Sequence, residues 1–150
     1  MFYRPLTALV FVATLFLAAC VDEEQKAAEF YQSGLALLAE GDPARAAVEF
    51  RNVLQYVEDH QGARLGLAGI LEAQGDPAGA YAQYRYVSEV APNLAEPFQN
   101  MARIALLNQT WDEAERTGRR AIELAPDDAI TQSIEVSLDY RQAVLDDAPA

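Results

Sequence analysis

The sequence predicts an all-α fold in which short helices recur in pairs. The tetrapeptide Gly-Asp-Pro-Ala occurs at 41–44 and again at 75–78, a separation of 34 residues. Each copy indicates a helix end followed by a helix start, because glycine adopts the left-handed conformation that ends helices, aspartate caps the next helix and proline fits its first turn. No segment shows the alternation of apolar and polar residues that is typical of strands. The repeated unit is therefore expected to be helix, tight turn, helix.

Composition limits the classes of partner. A chain of 150 residues is expected to form one domain. Its 23 acidic and 11 basic residues give a formal net charge of −12 at pH 7. Nucleic-acid binding requires clustered lysines and arginines that neutralise phosphates, so this composition argues against a nucleic-acid partner.

The amino-terminal segment 1–19 has the layout of a signal peptide. Arg4 supplies a positive charge, 6–17 are mostly apolar, and Leu17-Ala18-Ala19-Cys20 follows at the expected cleavage site. This tetrapeptide resembles the bacterial lipobox, which implies acylation of Cys20 and cleavage before it. The alternative is an uncleaved membrane anchor, but 6–19 is shorter than the roughly 20 residues that a spanning helix needs.

Residues 20–26 are expected to be the lipidated cysteine and a short tether. Asp22, Glu23 and Glu24 predict the cap and acidic first turn of a helix. In lipoproteins of the enteric type, aspartate directly after the lipidated cysteine resembles an inner-membrane retention signal, and here that position is Val21. The resemblance implies a cell-envelope protein anchored in the outer membrane and facing the periplasm.

Three segments of equal length, 27–60, 61–94 and 95–128, align with one another. Small residues recur at the eighth and twentieth positions, where the two helices of one unit would cross closely. These residues are Gly34, Ala68, Ala102, Ala46, Ala80 and Ala114. The pattern resembles the tetratricopeptide repeat (TPR), a helix-turn-helix unit of about 34 residues. The resemblance implies a right-handed helical solenoid of antiparallel helix pairs.

The carboxy-terminal part departs from this pattern in two places. The third unit has no Gly-Asp-Pro turn, and Thr110 and Glu113 have the spacing of a capping box. In 129–150, one apolar stripe on a mostly polar helix predicts a capping helix that covers the last core face. The stripe consists of Ile130, Ile134, Leu138 and Leu145. A partial fourth repeat is the alternative.

No motif for nucleotide binding or nucleophilic catalysis is present in the sequence. His60, the only histidine, falls in a turn between two repeats and has no cysteine or second histidine with which to hold a metal. A solvated turn residue is the favoured interpretation. The sequence therefore predicts a protein that is not an enzyme and needs no cofactor or metal.

The TPR resemblance implies a concave groove, lined by the first helix of each unit, that binds a protein or peptide partner. Carried onto this sequence, the groove residues are Tyr31, Leu35, Leu38, Leu65, Gly69, Glu72, Gln99 and Arg103. The expected function is a membrane-anchored periplasmic scaffold in envelope assembly. Pilus or secretion systems, outer-membrane protein insertion and exopolysaccharide export all fit this layout.

Other functions are compatible with the same residues. A module that binds glycan or peptidoglycan would use Tyr56, Tyr81, Tyr84 and Tyr86 together with Arg116, Arg119 and Arg120. Aromatic residues of helical repeats chiefly fill the core, and charged helix faces are usually solvated, so packing is the favoured interpretation of both sets. An adaptor for cell-wall hydrolases and a tether without a ligand are further alternatives.

Overall fold

The computed structural model describes the backbone of residues 6–147 and the side chains of residues 22–147. Within these ranges the chain forms seven α-helices and no strand. The helices are α1 (Leu6–Ala39), α2 (Pro43–Tyr56), α3 (Gln61–Ala73), α4 (Pro77–Val90), α5 (Ala95–Leu107), α6 (Trp111–Leu124) and α7 (Ala129–Asp146). They group into two compact units, 1–63 and 64–150, which are described separately below.

The first helix, α1, is continuous from Leu6 to Ala39. The prediction that Asp22 caps a new helix is wrong for this chain, because no glycine or proline separates the apolar segment from the helix-forming residues after it. Cys20 lies in the part of α1 whose side chains are not described. Among the described residues, no helix is both long enough and apolar enough to cross a bilayer.

In the unit 1–63, α2 packs antiparallel to the later part of α1. Phe30 stacks on Tyr56 with ring centroids 5.7 Å apart. One helical turn further along α1, Gly34 lies under the ring of Phe50, and a Cβ atom placed on Gly34 would approach that ring to 2.7 Å. The small residue predicted at this crossing is therefore required by the aromatic ring above it.

The start of α3 is capped by a residue that the sequence indicated only as a turn. The Ala63 N–H donates a hydrogen bond of 3.1 Å to His60 Nδ1. The His60 ring also lies 4.6 Å from the Tyr31 ring, measured between centroids. His60 thus takes the role that Asp42 and Asp76 have in the tight turns, and its contacts are internal rather than solvated.

In the unit 64–150, the core forms where small residues let helices approach closely. Ala68 of α3 and Ala80 of α4 are fully buried beside Tyr84 and Met101. A second cluster joins α5, α6 and α7. Its members are Ala102, Ala105, Ala114, Ile134 and Leu138. The predicted small crossing positions are confirmed by this burial.

The two Gly-Asp-Pro turns have the predicted conformation. Gly41 and Gly75 both have φ of +79°. The carboxylate of Asp42 accepts a 3.0 Å hydrogen bond from the Arg45 N–H, and that of Asp76 accepts a 2.8 Å bond from the Gly79 N–H. Proline then begins the next helix in each case. The turn chemistry predicted from the tetrapeptide is confirmed.

The third turn uses different contacts from those predicted. Thr110 makes no side-chain cap, because its hydroxyl donates to the Ala105 carbonyl at 3.2 Å. Glu113 instead pairs with Arg116 of the next helical turn. The capping-box prediction is therefore wrong. Gln109 adopts φ of +57° at the point where the other two turns have glycine.

The last helix, α7, begins at a capping aspartate and buries one face. Asp128 Oδ1 accepts hydrogen bonds from the Ile130 and Thr131 N–H groups at 2.9 and 3.2 Å. Ile134 and Leu138 are buried as predicted. Ile130, like Leu145, is instead about half exposed, so the covered face is narrower than the predicted stripe.

Candidate functional site: an apolar groove between α5 and α7

The predicted groove residues of the first repeat, 27–60, have partly exposed side chains that are mostly apolar. Tyr31 is half-buried, and its ring contacts Phe50 at 5.9 Å between centroids. Its hydroxyl lies close to the Cα of Gly62, where an added Cβ atom would approach it to 2.5 Å. Leu35 and Leu38 are exposed on α1. The side chain of Tyr31 therefore leaves no room for a residue larger than glycine at position 62.

In the second repeat, 61–94, the predicted groove residues Leu65 and Gly69 of α3 differ from each other in their surroundings. Leu65 is partly buried and packs against the core cluster that contains Ala68 and Ala80. A Cβ atom added to Gly69 would meet no other atom within 4 Å. Glycine inside a helix costs roughly 1 kcal/mol relative to alanine, so Gly69 is a helix-weakening residue that no internal contact requires.

Glu72 and Arg103 form an ion pair between α3 and α5. Arg103 also donates to Asn100 Oδ1 at 3.3 Å. Burial raises the pKa of the nearby Tyr84 hydroxyl, and the negative charge of Glu72 adds to this effect. The pair lines a groove of about 300 Å³, which is also lined by Leu107.

Gln99 is used inside the fold. Its side chain is buried on α5, and Nε2 donates hydrogen bonds of 2.8 Å to both Asp128 Oδ1 and Thr131 Oγ1. The amide therefore ties α5 to the start of α7. A side chain held by two internal acceptors offers little to a partner, so Gln99 is a packing residue in this structure.

An exposed, mostly apolar groove of the unit 64–150 lies between the end of α5 and the outer side of α7. It has a volume of about 640 Å³. Its lining residues are Leu106, Leu107, Trp111, Val136, Ser137, Tyr140, Arg141, Val144 and Leu145. We call it the α5–α7 groove. Leu107 is 72% exposed at its edge, although leucine is normally buried in a soluble protein.

Charge is distributed unequally around the groove. The Arg141 guanidinium lies over the Trp111 ring, 4.5 Å from its centroid, so this cation is held on the aromatic wall. The pKa of Arg119 on α6 is raised chiefly because Glu115 pairs with it, and the acidic residues Asp139 and Glu135 of α7 raise it further. These acidic side chains of α7 therefore lie toward Arg119 of α6, and the charged residue in the groove lining is Arg141.

The α5–α7 groove contains residues that the sequence-based site omitted. A capping helix is expected to contact the fold only through its buried stripe, so the outer face of α7 was not assigned to the site. Continuing the 34-residue register into α7 instead places Ser137, Tyr140 and Arg141 at the ninth, twelfth and thirteenth positions of a further unit. Those positions line the groove in the earlier units, so the signal was present in the spacing.

The tyrosines and arginines of the alternative functions are engaged within the fold. Tyr84 is buried, and Tyr86 lies beneath the Arg64 guanidinium, 3.5 Å from the ring centroid. Arg119 pairs with Glu115 at 2.7 Å, and Arg120 donates to the Pro92 carbonyl at 2.8 Å. Among the described side chains, no group of three or more metal-ligating residues is placed to hold an ion.

Comparison with known proteins supports the repeat. Residues 37–93 match the family model of the tetratricopeptide repeat. No curated protein sequence matches the chain. Solved structures similar to this chain include the first TPR domain of Spaghetti (RPAP3) bound to the HSP90 peptide SRMEEVD. It is 14% identical, with a TM-score of 0.71, over 79% of this chain and 94% of that one.

Two further structures have the same type of fold. YrrB, described as a TPR protein with an unusual peptide-binding site, is 20% identical with a TM-score of 0.66, over 85% of this chain and 70% of that one. PilF of Pseudomonas aeruginosa is 21% identical with a TM-score of 0.65, over 80% of this chain and 56% of that one. The predicted all-α helical-repeat class is confirmed, and TPR repeats of this kind generally serve as non-catalytic scaffolds for protein–protein interaction.

Proposed function

We propose that the chain is a lipid-anchored adaptor of the bacterial cell envelope that binds a protein partner in the α5–α7 groove. The observation that carries the binding site is the exposure of Leu107, Val136 and Tyr140 around one concave, mostly apolar surface. Soluble proteins rarely leave such side chains together in water without a partner. Fully burying a leucine or valine side chain contributes about 1.5–3 kcal/mol before the costs of association are subtracted.

The ligand class is a polypeptide. Two of the similar structures are described as binding peptides, which makes peptide recognition the first expectation for this groove. The acidic HSP90 peptide is a poor guide to the ligand here, because the lining of the groove is mostly apolar and the chain has a formal net charge of −12. Leu35 and Leu38 of the first repeat, 27–60, remain predicted contacts of the protein partner.

The membrane anchor is proposed from Leu17-Ala18-Ala19-Cys20. Diacylation of Cys20 would hold the repeats at a membrane, and Val21 after the cysteine favours the outer membrane. Pilus or secretion systems, outer-membrane protein insertion and exopolysaccharide export are the machineries proposed. Among the alternatives, no contact of the described residues favours glycan binding, since the tyrosines and arginines it would use are internally engaged.

Site-specific crosslinking in living bacteria tests the binding site. A photo-reactive amino acid replaces Leu107 in the full-length chain, and the matched control replaces Val48, which is 53% exposed on α2 and outside the groove. We expect one discrete protein adduct from position 107 that disappears when Tyr140→Ser is added. Equal adducts from both positions, or an adduct that Tyr140→Ser does not change, would contradict the proposed groove.

The anchor is tested separately. Labelling with a fatty-acid analogue should mark the wild-type chain and leave Cys20→Ser unmarked, because the thiol of Cys20 is the proposed attachment point. Equal labelling of the two chains would refute lipidation at this residue. Absence of label from both would instead support the uncleaved anchor considered for 6–19.

A further inference from the structure

A buried polar cluster joins the start of α7 to α5. The Gln99 side chain is 7% exposed, and Thr131 is fully buried. Gln99 Nε2 donates hydrogen bonds of 2.8 Å to Asp128 Oδ1 and to Thr131 Oγ1. The same Asp128 oxygen also accepts the N–H groups of Ile130 and Thr131. One carboxylate therefore both begins α7 and binds a side chain of α5.

The other two capping aspartates differ from Asp128 in this respect. Among the described residues, the Asp42 carboxylate accepts hydrogen bonds from Arg45, and the Asp76 carboxylate accepts one from Gly79. Both donors belong to the helix that the aspartate begins. Hydrogen bonds are directional, whereas apolar contacts are not and allow helices to slide. The bonds at Asp128 therefore fix the direction of α7 relative to α5.

The part of α7 that contributes most to the α5–α7 groove lies beyond the buried residues of this helix. Thr131, Ile134 and Leu138 are the buried side chains of α7, and those of 139–146 are exposed or half-buried. Arg141 lies over Trp111 of α6 there, a contact that is weak at a solvent-exposed site. The groove residues from this part are Tyr140, Arg141, Val144 and Leu145. The helix is thus held near its start and forms the wall of the groove near its end.

We propose that Gln99 is a positioning residue of the α5–α7 groove, whose two hydrogen bonds set the tilt of α7 and so the width of the groove between Leu107 and Val144. From Thr131 to Val144 a helix rises about 20 Å, so a tilt of about 10° at its start moves its far end by about 3 Å. A gap of this size removes the dispersion attraction of an apolar contact. Gln99 acts on the partner only through α7, an inference that rests on the proposed function of the groove.

Loss of the Gln99 amide is expected to move α7 without unfolding it. Asp128 keeps the N–H groups of Ile130 and Thr131, which begin the helix, when the bonds from α5 are absent. The apolar cluster shared by α5, α6 and α7 also remains. The effect of Gln99 on the groove can therefore be separated from its contribution to folding.

Distances between spin labels on α5 and α7 test this role in the full-length chain. Leu107→Cys carries one label, and Val144→Cys carries the other. The matched control replaces the second position by Ile130→Cys, near the start of α7. All three side chains are more than half exposed, so a label disturbs little packing. Cys20→Ser is present in every labelled chain, because Cys20 is the single cysteine of the sequence.

The lever predicts unequal changes at the two positions. Gln99→Met keeps the length of the side chain and removes both hydrogen bonds. In this variant the Leu107–Val144 distance is expected to shift or broaden by about 3 Å, because the far end of α7 moves most. The Leu107–Ile130 distance should change by less than about 1 Å. Circular dichroism should show the helix content of the wild type.

Thr131 supplies a matched pair of variants. Thr131→Val keeps the shape of the side chain and removes the acceptor, so it should shift the Leu107–Val144 distance in the same direction as Gln99→Met. Thr131→Ser keeps the hydroxyl and should retain the wild-type distance.

A variant with a titratable side chain adds a pH profile. Gln99→Glu places a second carboxylate against Asp128, so the two negative charges repel at neutral pH, and a shared proton restores a hydrogen bond in acid. The Leu107–Val144 distance in Gln99→Glu should return toward that of the wild type at the same pH between about pH 7 and pH 4.

An unchanged Leu107–Val144 distance in Gln99→Met and Thr131→Val would overturn the positioning role. Equal changes of the distances to Val144 and Ile130 would overturn it too, because they would show that Gln99 supports packing in general. If Gln99→Met loses helix content, the comparison of Thr131→Val with Thr131→Ser decides in the same way.

The consequence for the partner is measured with the photo-reactive amino acid at Leu107. Its adduct should decrease about threefold or more in Gln99→Met, because a displaced wall no longer fits the partner. A shifted Leu107–Val144 distance with an undiminished adduct would overturn the link between groove width and binding. Absence of any adduct from the wild-type chain would contradict the proposed function instead, and the label distances would still decide the role of Gln99.

Discussion

The residue with positive φ in each turn between helices affects the free energy of unfolding. Gly41 and Gly75 have φ of +79°, which glycine adopts without strain, whereas Gln109 has φ of +57° in the third turn. For a residue with a side chain, this backbone conformation costs about 1–2 kcal/mol. Glycine removes that cost, but its greater freedom in the unfolded chain offsets part of the gain in stability. We expect Gln109→Gly to raise the free energy of unfolding by about 0.5–1 kcal/mol in urea denaturation.

The reverse substitution is the matched control. Gly75→Gln should lower the urea midpoint, because it forces a side chain into the same conformation in the second turn. If both substitutions shift the midpoint in the same direction, the backbone conformation of these turns is not what determines their stability.

Asp42 makes stability depend on pH. Its pKa is lowered from 3.8, first by the hydrogen bond from the Arg45 N–H and then by the Arg45 side chain. A lowered pKa in the folded state means that the ionised carboxylate stabilises the fold above pH 3.8 and that this contribution disappears as the pH falls through the lower value.

Asp42→Asn keeps a capping oxygen and removes the charge. The thermal midpoint of Asp42→Asn should therefore lie below that of the wild type at neutral pH and approach it as the pH falls below 3.8. A difference between the two chains that stays constant over this range would show that the charge of Asp42 does not contribute.

Among the elements, α3 and α4 illustrate which positions are constrained by packing. Ala80 is fully buried where α4 crosses α3, while Gly69 of α3 faces open space. Ala80→Leu should lower the free energy of unfolding by about 1–3 kcal/mol through overpacking. Gly69→Leu should raise it by up to about 1 kcal/mol, since leucine is the better helix former. Chemical denaturation compares the two directly.

Equal midpoints for Ala80→Leu and the wild type would contradict the helix crossing assigned to Ala80. A large destabilisation by Gly69→Leu would show that Gly69 has an internal contact. The two substitutions add leucine to neighbouring helices of one unit, so differences in residue size alone do not explain opposite outcomes.

The sequence predicted the helices and their tight turns well because each depends on local chemistry. Glycine, aspartate and proline at 41–43 and 75–77 specify a turn whatever lies beyond it. The start of α3 was missed as a cap because histidine is an uncommon capping residue, and the role of His60 depends on where its ring turns.

The site was less predictable, because a register gives the helix face of a residue and not its contacts. Gln99 was assigned to the groove, yet Asp128 and Thr131 at the start of α7 hold its amide. Tyr140 was omitted, because α7 was treated as a cap and its outer face as polar. Contacts with a helix distant in the sequence decided the outcome for Gln99, whereas the 34-residue spacing, continued into α7, does place Tyr140 at a groove position.

Across the whole molecule, net charge and exposed apolar surface point to partners of one kind. The formal charge of −12 disfavours acidic ligands and favours basic ones. The arginines at 116, 119 and 120 do not form an independent basic site, since each is paired with a carboxylate of its own helix. The α5–α7 groove supplies the exposed apolar area, through Leu107, Val136 and Tyr140.

The affinity of the captured partner for two variants tests this account most directly. The partner crosslinked at Leu107 is purified and titrated with the full-length chain by calorimetry. Val136→Ser with Tyr140→Ser should weaken binding by about tenfold or more, because both remove apolar contacts at the centre of the groove. Arg119→Glu with Arg120→Glu should change the affinity by less than about threefold. Loss of binding in the arginine variant, with full binding retained in the groove variant, would contradict the account and assign the site to the basic face of α6.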